Sequence, residues 1–344
     1  MKKAIILFNL GGPDNIKNVE PFLFNLFYDP AILSLPKLIR YPLAKLIANR
    51  RTPTAKKIYE ELGGSSPILK ETLNQSNALE NSLNKNDKSS NYKCFVVMRC
   101  WHPRADNVVK EVMEYNPEEI VLMPLYPQYS AATSGSSIKE WRDVCKKNNC
   151  NIKTSTICCY PTNDSFVLAH KNEIAKKINN LENYKLIFSA HGLPEKNIKK
   201  GDPYQWQVEQ SVEKIVQALN IQDLDWILSY QSRVGPLKWI GPSTEDIIIK
   251  NSKLGKHIVL VPIAFVSEHS ETLVELDIEY KELADKNGCK NYSRVPALGT
   301  NDHFIKAISE LIIHKENNNF NGELYPPKTR CPNKFKKCAC INYG

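Results

Sequence analysis

The chain has 344 residues, of which 42% are hydrophobic and 24% charged, with a formal net charge of +9. That length can bury one large core or two similar lobes, and the composition is that of an ordinary globular protein rather than a disordered or fibrous one. No apolar run approaches the roughly 18 residues of a bilayer-spanning helix.

The opening MKKAIILFNLGG has the basic start of a signal peptide, but its apolar stretch is only Ala4 to Phe8 and lacks a small-residue cleavage pattern, so it reads as a first strand. Between Pro30 and Tyr59 lie seven basic residues (Lys37, Arg40, Lys45, Arg50, Arg51, Lys56, Lys57) and no acidic one, interleaved with Leu, Ile and Tyr. Such a stretch suits an anionic membrane surface or an acidic ligand. Nucleic acid is not the expected partner, because no zinc-finger, helix-turn-helix or RNA-binding motif accompanies the charge. The runs KAIILFNL, CFVVMRCW, EIVLMPLY, KTSTICC, YKLIFSA, WILSYQS and HIVLVPIAF lack strict alternation, and helical stretches at about 166–181, 206–219, 268–285 and 303–314 separate the later ones. This pattern predicts parallel strands covered on both faces, in two similar α/β lobes that meet near residue 165 across a cleft.

Ligands of such sheets bind beyond the carboxyl ends of the strands. Those ends carry Asn9-Leu10-Gly11-Gly12, then Arg99, Tyr126 to Tyr129, Tyr160, His191, Gln231, and finally His269 with Glu271. The glycine pair lacks the third glycine and downstream acid of a dinucleotide fingerprint, and no P-loop, nucleophile elbow or His-Glu-x-x-His is present. In a helix after the strand expected to end at Phe265, Glu271, Glu275 and Glu279 fall at i, i+4 and i+8 on one face, with Leu273, Leu276 and Tyr280 on another. For Glu279 a solvated face is an equal reading. A histidine and a carboxylate across a cleft point to metal-assisted or proton-transfer chemistry on an anionic, largely apolar ligand. Ten cysteines in a long chain with no evident secretion signal point to reduced thiols or metal ligands. Cys331, Cys338 and Cys340 crowd the polar end, while Cys94, Cys100 and Cys289 read as ordinary small residues.

The segments NLGGPD, FLFNLFYDPAI, RRTP, GGSSPI, YPQYSAATSGSS, FSAHGLP, GDPY, SYQSRVGPLKWIGP and PIAFVSEHSETLVELDIEY, in this order, make the chain resemble the ferrochelatases, which insert ferrous iron into protoporphyrin IX. The resemblance implies two Rossmann-like doubly wound lobes: an N-terminal one at 1–165 with an apolar lip at about 20–58, a C-terminal one at 166–320, and a cysteine-bearing extension at 321–344. It places the base on His191 and the essential carboxylate on Glu271, both also meeting the Fe²⁺ that is substrate, with Glu275, Glu279 and His269 as a relay. Leu10, Tyr59, Arg99, Tyr126, Gln231 and Trp239 match pocket positions, and Arg50 and Arg51 a basic pair near the mouth. The tail spacing C-x6-C-x-C looks like a [2Fe–2S] site of Cys331, Cys338 and Cys340. Animal relatives draw the fourth ligand from the position of Ala131, so Cys158 or Cys159 is the expected substitute here, with Cys150 or Cys145 behind them. Structural zinc is the rival for these thiols. A non-catalytic porphyrin or metal carrier, or a related chelatase using cobalt or coproporphyrin, is the alternative activity. Peripheral membrane contact at the lip, a homodimer and a bacterial cytoplasmic location, with the lip on the inner membrane face, complete the expectations.

Overall fold

Strand β1 (Lys2–Asn9) feeds two separate cores. Ile5 and Leu7 enter one apolar cluster and Ala4, Ile6 and Phe8 another, because successive strand residues point to opposite faces. With both faces covered no position need be polar, hence the unbroken apolar run. The computed structural model describes residues 1–179, 181–233, 237–313, 324–325 and 330–342.

The further strands are β2 (Asn91–Met98), β3 (Glu119–Pro124), β4 (Lys153–Ile157), β5 (Tyr184–His191), β6 (Trp226–Gln231), β7 (His257–Pro262), β8 (Tyr292–Arg294) and β9 (Leu324–Tyr325). They form two parallel sheets, ordered β2-β1-β3-β4-β9 and β6-β5-β7-β8. Both repeat one plan: the first strand of each lobe lies between its second and third, so the winding reverses at β1 and again at β5. Those reversal points are where open α/β sheets leave a crevice for ligand. Leu10 follows the first and His191 ends the second.

Helices α1 (Val19–Tyr28) and α2 (Lys37–Glu61) make the lip, α3 (Ile68–Asn86) covers one face of the first sheet, and α4 (Ala105–Tyr115) and α5 (Ser134–Lys147) cover the other. The second sheet is covered by α6 (Asp164–Ile178) and α8 (Tyr204–Leu219) on one face. On the other lie α9 (Thr244–Lys253), a π-helix (Glu271–Glu279) and α10 (Tyr280–Lys286). Between β5 and α8 runs the short α7 (Glu195–Lys199). Helix α6 serves both lobes: Phe166 and Ala169 enter the first core, Val167, Ile174 and Ile178 the second. The chain then returns, since α11 (Asp302–Ile313) packs into the first core and β9 pairs with β4.

Buried polar side chains stitch the lobes. Asn9 Nδ2 donates to Thr72 Oγ1 (3.0 Å) and Ser267 Oγ (3.2 Å), Gln75 Nε2 to the carbonyl of Val266 (2.7 Å), and Gln128 Nε2 to Ser211 Oγ (3.0 Å). Groups buried this way are costly to leave unpaired, so the seam fixes one arrangement of the two sheets.

Two expectations need correction, and a third lies partly outside the described residues. The seventh run ends as a strand at Pro262, not Phe265, and a loop leads to Glu271. The stretch at about 268–285 is a π-helix followed by α10, not one α-helix. The helix expected to reach residue 314 is described only to Ile313, and of the extension at 321–344 only 324–325 and 330–342 lie within the described residues.

Candidate active site

His191 ends β5 directly beside Gln231, the last residue of β6. Glycine follows for a reason: a Cβ at Gly192 would stand 2.7 Å from the Gln231 carbonyl oxygen and 3.3 Å from the Trp239 ring. The chain can therefore turn out of the sheet with Trp239 laid against it. From α8, the Tyr204 hydroxyl donates to the His191 carbonyl at 3.0 Å. Glu271, first residue of the π-helix, brings Oε2 to 2.9 Å from His191 Nδ1. The imidazole is still 43% exposed and the carboxylate 27%.

Burial alone would depress the His191 pKa, but the charge and hydrogen bond of Glu271 outweigh it and push it above 6.5. Glu271 moves the opposite way: burial raises it, yet His191, His269 and a Ser232 hydrogen bond bring it down to about 2. Glu275 is pushed up by burial and by the Glu271 charge. It is held by four donors: Ser232 Oγ (2.7 Å), the Ser232 N–H (3.1 Å), Tyr280 OH (3.1 Å) and Gln231 Nε2 (3.2 Å). Ser189 Oγ donates to Gln231 Oε1 at 2.7 Å, which turns the amide nitrogen toward Glu275.

Ser232 was not singled out by sequence reasoning, although it lies in SYQSRVGP. Its hydroxyl spans Glu271 Oε2 (3.2 Å) and Glu275 Oε2 (2.7 Å), and its φ of 58° is a left-handed backbone that non-glycine residues seldom adopt. Phe265 was missed too. Its ring lies 4.5 Å from that of His269 and 6.4 Å from that of His191. His269 is buried, its Nδ1 is 3.1 Å from the Ser267 carbonyl, and burial pushes its pKa down.

The structure brings together His191, Glu271, Glu275, His269, Gln231 and Trp239. Tyr59, from the end of α2, reaches the edge of this group: its hydroxyl is 3.5 Å from Ser270 Oγ and burial pushes it up to about 12. Leu10 packs with Tyr59 in the lip's own core. Glu279 is exposed at the last π-helical position, apart from the donors gathered on Glu275. Arg99 is occupied otherwise: its guanidinium is 2.9 Å from Asp29 and 3.1 Å from Glu140, and Nε donates to Ser136 at 2.7 Å. Asp29 closes α1, so Arg99 ties the lip to α5. Tyr126 packs beside the α4–α5 core, where burial drives its phenol up. Arg50 and Arg51 are exposed on α2, Arg51 5.7 Å over the Phe27 ring. Cavities of about 630 and 640 Å³ open at the β2 edge and between α3 and α11, and neither is lined by any of these residues.

A second constellation forms at the end of β4. Strand β9 extends the sheet along β4, just before Cys158 and Cys159. The tail docks on Gly201, where a Cβ would stand 2.8 Å from Lys336 N. Cys338 packs with Cys331 and Cys340, and Cys158 with Cys159 and Cys340. The neighbouring thiols push Cys338 far down, and the same crowding with burial pushes Cys158 and Cys331 far up. Cys159 faces Gln207 Nε2 (3.3 Å), which also donates to Cys331 Sγ (3.1 Å). Cys145 and Cys150 are free thiols that lie together elsewhere, at the border of the α5 core. Among the described residues no set of three or more His, Cys, Asp or Glu groups forms a ready metal cage, and no helix is long and apolar enough to cross a membrane.

Known proteins share the fold and the sequence. A solved structure of SirB from Bacillus subtilis with Fe³⁺ superposes with a TM-score of 0.55 at 12% identity, covering 91% of this chain and 95% of that one. The sirohydrochlorin chelatase SirB from Bacillus subtilis subspecies spizizenii, in complex with cobalt, gives 0.51 at 12% identity over 92% and 98%. These likenesses establish the fold alone. In sequence, a ferrochelatase of Pelagibacter ubique is 77% identical over 343 residues, covering 100% of both chains. One from Rickettsia bellii is 49% identical over 98% of this chain and 95% of its own, and one from a Wolbachia of Drosophila simulans 51% over 91% and 99%. The sequence model of the family Ferrochelatase matches residues 2–316, so the chain belongs to the ferrochelatase family.

Proposed function

We propose that His191 is the base that receives the pyrrole protons, and that Glu271 and Glu275 carry protons or iron to and from it. The reaction is the family's own: ferrous iron enters protoporphyrin IX, two protons leave, and protohaem, the product of the last step of haem synthesis, is formed. The observation that carries the assignment is the 2.9 Å contact between His191 Nδ1 and Glu271 Oε2. With Glu271 ionised, Nδ1 is the donor, which fixes the tautomer and leaves Nε2 basic. A carboxylate at that distance also stabilises the imidazolium formed when the base takes its proton.

A flat porphyrin shields its central hydrogens, so metal must meet a ring bent out of plane. Contacts with the rest of the macrocycle offset a strain of roughly 1–5 kcal/mol. Trp239, Phe265 and Tyr59, with Leu10 packed beside Tyr59, are apolar surfaces suited to such contacts, and the exposed Arg50 and Arg51 suit propionates. Glu271, Ser232 and Glu275 form a continuous hydrogen-bonded line from the base. Glu279 and His269 extend it in sequence, at either end of the π-helix.

An anaerobic assay with Fe²⁺ or Zn²⁺, following loss of free-base porphyrin fluorescence, tests the reading. His191→Ala is expected to lower turnover by about 10²–10⁴-fold while porphyrin still binds. Normal turnover sinks the assignment. Wild-type protein that binds porphyrin without loading metal is a carrier, and preference for cobalt or coproporphyrin marks a related chelatase.

The thiols fit a [2Fe–2S] cluster in kind. Cys338 and Cys340 of the tail lie beside Cys158 of the strand end and Cys331 beside Cys338, so Cys158 is the preferred fourth ligand, with Cys159 the alternative. Such a centre, when bound, supplies a one-electron couple and a staple between tail and sheet. The lip supports peripheral contact with an anionic membrane: Leu38 is 91% exposed and Ile39 55%, among exposed Lys37, Lys45, Arg50 and Arg51. A bacterial cytoplasmic location with the lip on the inner membrane face, and a homodimer as in cluster-bearing relatives, belong to the same reading. Cell fractionation and sedimentation velocity check them.

A further inference from the structure

We propose that Tyr292 and Arg294 of β8 form a clamp that holds the π-helix in register and so sets the placing of Glu271 and Glu275. The proposal rests on the site reading above and names what keeps that site in place. A π-helix closes its hydrogen bonds from i to i+5 and mostly occurs as a single turn. Nine consecutive residues in this state are a conformation that the surroundings must impose. The local sequence does not impose it: ETLVELDIE has neither proline nor glycine, and the chain continues without a break into the α-helical α10.

The grip comes from β8. Residues two apart on a strand share a face, and here both reach the π-helix. The Tyr292 hydroxyl donates to the Leu276 carbonyl at 2.5 Å. Arg294 makes a paired bond to the next residue, with Nε to Asp277 Oδ1 and Nη2 to Asp277 Oδ2 both at 2.7 Å. Its third nitrogen, Nη1, reaches Glu268 Oε1 at 2.9 Å, in the loop that enters the π-helix, and the Ala297 N–H donates to that same oxygen. One guanidinium, only 7% exposed, thus holds the segment both before Glu271 and after Glu275.

The clamp is itself anchored. Tyr292 pairs with Ile258 and Arg294 with Leu260 on β7, and β7 pairs with β5, which carries His191. Base and acid are therefore referred to one frame. There is little slack at the site, because one Ser232 hydroxyl must span both carboxylates at 3.2 and 2.7 Å. A π-helix that relaxed to α, with its 1.5 Å rise and 3.6 residues per turn, would re-aim one carboxylate against the other.

Amide hydrogen exchange and steady-state kinetics on the full chain test this. In Arg294→Ala, Asp277→Asn and Tyr292→Phe, amides of residues 271–279 are expected to exchange at least tenfold faster, with β5 and β6 unchanged. The kcat/KM for Fe²⁺ or Zn²⁺ is expected to fall tenfold or more while the KM for protoporphyrin holds. Arg294→Lys keeps the charge but not the paired bond, and recovers only part. Wild-type exchange at 271–279 in all three variants overturns the proposal, as does equal loss toward metal and porphyrin. If Arg294→Ala does not fold, the two milder variants decide. Glu271→Gln separates the two readings: its normal turnover sinks the site assignment, while the exchange result still judges the clamp.

Discussion

Two strand ends, one in each sheet, gather the reactive groups of this molecule, and they do so in opposite ways. At the end of β5 the titrating groups meet complements: imidazole against carboxylate, and the second carboxylate against hydroxyl, amide and phenol. Opposite shifts in His191 and Glu271 follow from that pairing. At the end of β4 thiols face chiefly other thiols, so one sulfur is driven far down and its neighbours far up. A single thiolate can be held by the hydrogens of the others, but several cannot coexist in contact without a cation. The first site sets charge against charge. The second is a set of thiols that is neutral while protonated and accumulates like charge if more than one is ionised.

The strongest way to break the comparison is to remove the complement at the first site. Glu271→Gln keeps the shape and deletes the charge, and a fall in kcat/KM of about 10²-fold or more is expected. The pH profile should move as well. Glu271 holds His191 above its ordinary value while burial pulls it down, so without the charge the imidazole loses its proton more readily and the acid limb shifts to lower pH. An unshifted limb means that His191 is not the titrating base. Stability follows the same pair. Glu271, lowered to about 2 from 4.5, contributes above 4.5 and loses that contribution as pH falls toward 2. His191, raised above 6.5, contributes below 6.5 and loses it as pH rises through its folded value. Urea unfolding of wild type and Glu271→Gln should therefore differ most between about pH 4.5 and 6.5, and a difference that is flat with pH removes the pair from the stability account.

The second site sharpens the comparison through colour. Purified protein is expected to show the visible absorption of a [2Fe–2S] centre, and Cys338→Ser, which removes a thiol set among Cys158, Cys331 and Cys340, should abolish it. Cys145→Ser, away from the tail, should leave it intact. A colourless protein with stoichiometric zinc by elemental analysis assigns the site to the rival metal.

The same contrast governs what could be read in advance. Parallel strands buried on both faces announce themselves as continuous apolar runs, which made the two lobes legible, and reactive residues at the ends of such runs exposed His191 and Glu271. Strands β8 and β9, three and two residues long, leave no run. The π-helix was invisible because its sequence carries ordinary helical periodicity and its register depends on Tyr292 and Arg294. Ser232 was invisible because a serine after a strand is unremarked until its backbone angle and two carboxylate contacts are known. Arg99 was assigned to the pocket, but its partners Asp29 and Glu140 lie 70 and 41 residues away and no pattern links them. The tail spacing picked out three thiols, whereas two adjacent cysteines at a strand end do not say in sequence which of Cys158 and Cys159 lies beside Cys338.

The smallest expected effect on chemistry concerns a third region that, like the thiols, is left without a complement. Leu38, Ile39, Tyr41 and Leu46 stand in water on α2, although each such side chain gains about 1.5–3 kcal/mol when buried. Lys37, Lys45, Arg50 and Arg51 stand exposed on the same helix. An anionic bilayer supplies both missing partners, apolar interior for the first and phosphate for the second. Leu38→Ser with Ile39→Ser should therefore weaken co-sedimentation with anionic phospholipid vesicles at least tenfold, at about 0.8 kcal/mol for each CH₂ withdrawn from the membrane, yet change turnover of detergent-dispersed porphyrin by less than about twofold. Salt at about 1 M, where charges are screened beyond about 3 Å, should weaken wild-type binding while leaving the apolar share. Vesicle binding unaffected by both treatments removes the membrane from the account, and a matching loss of turnover on dispersed porphyrin makes those residues part of the pocket instead.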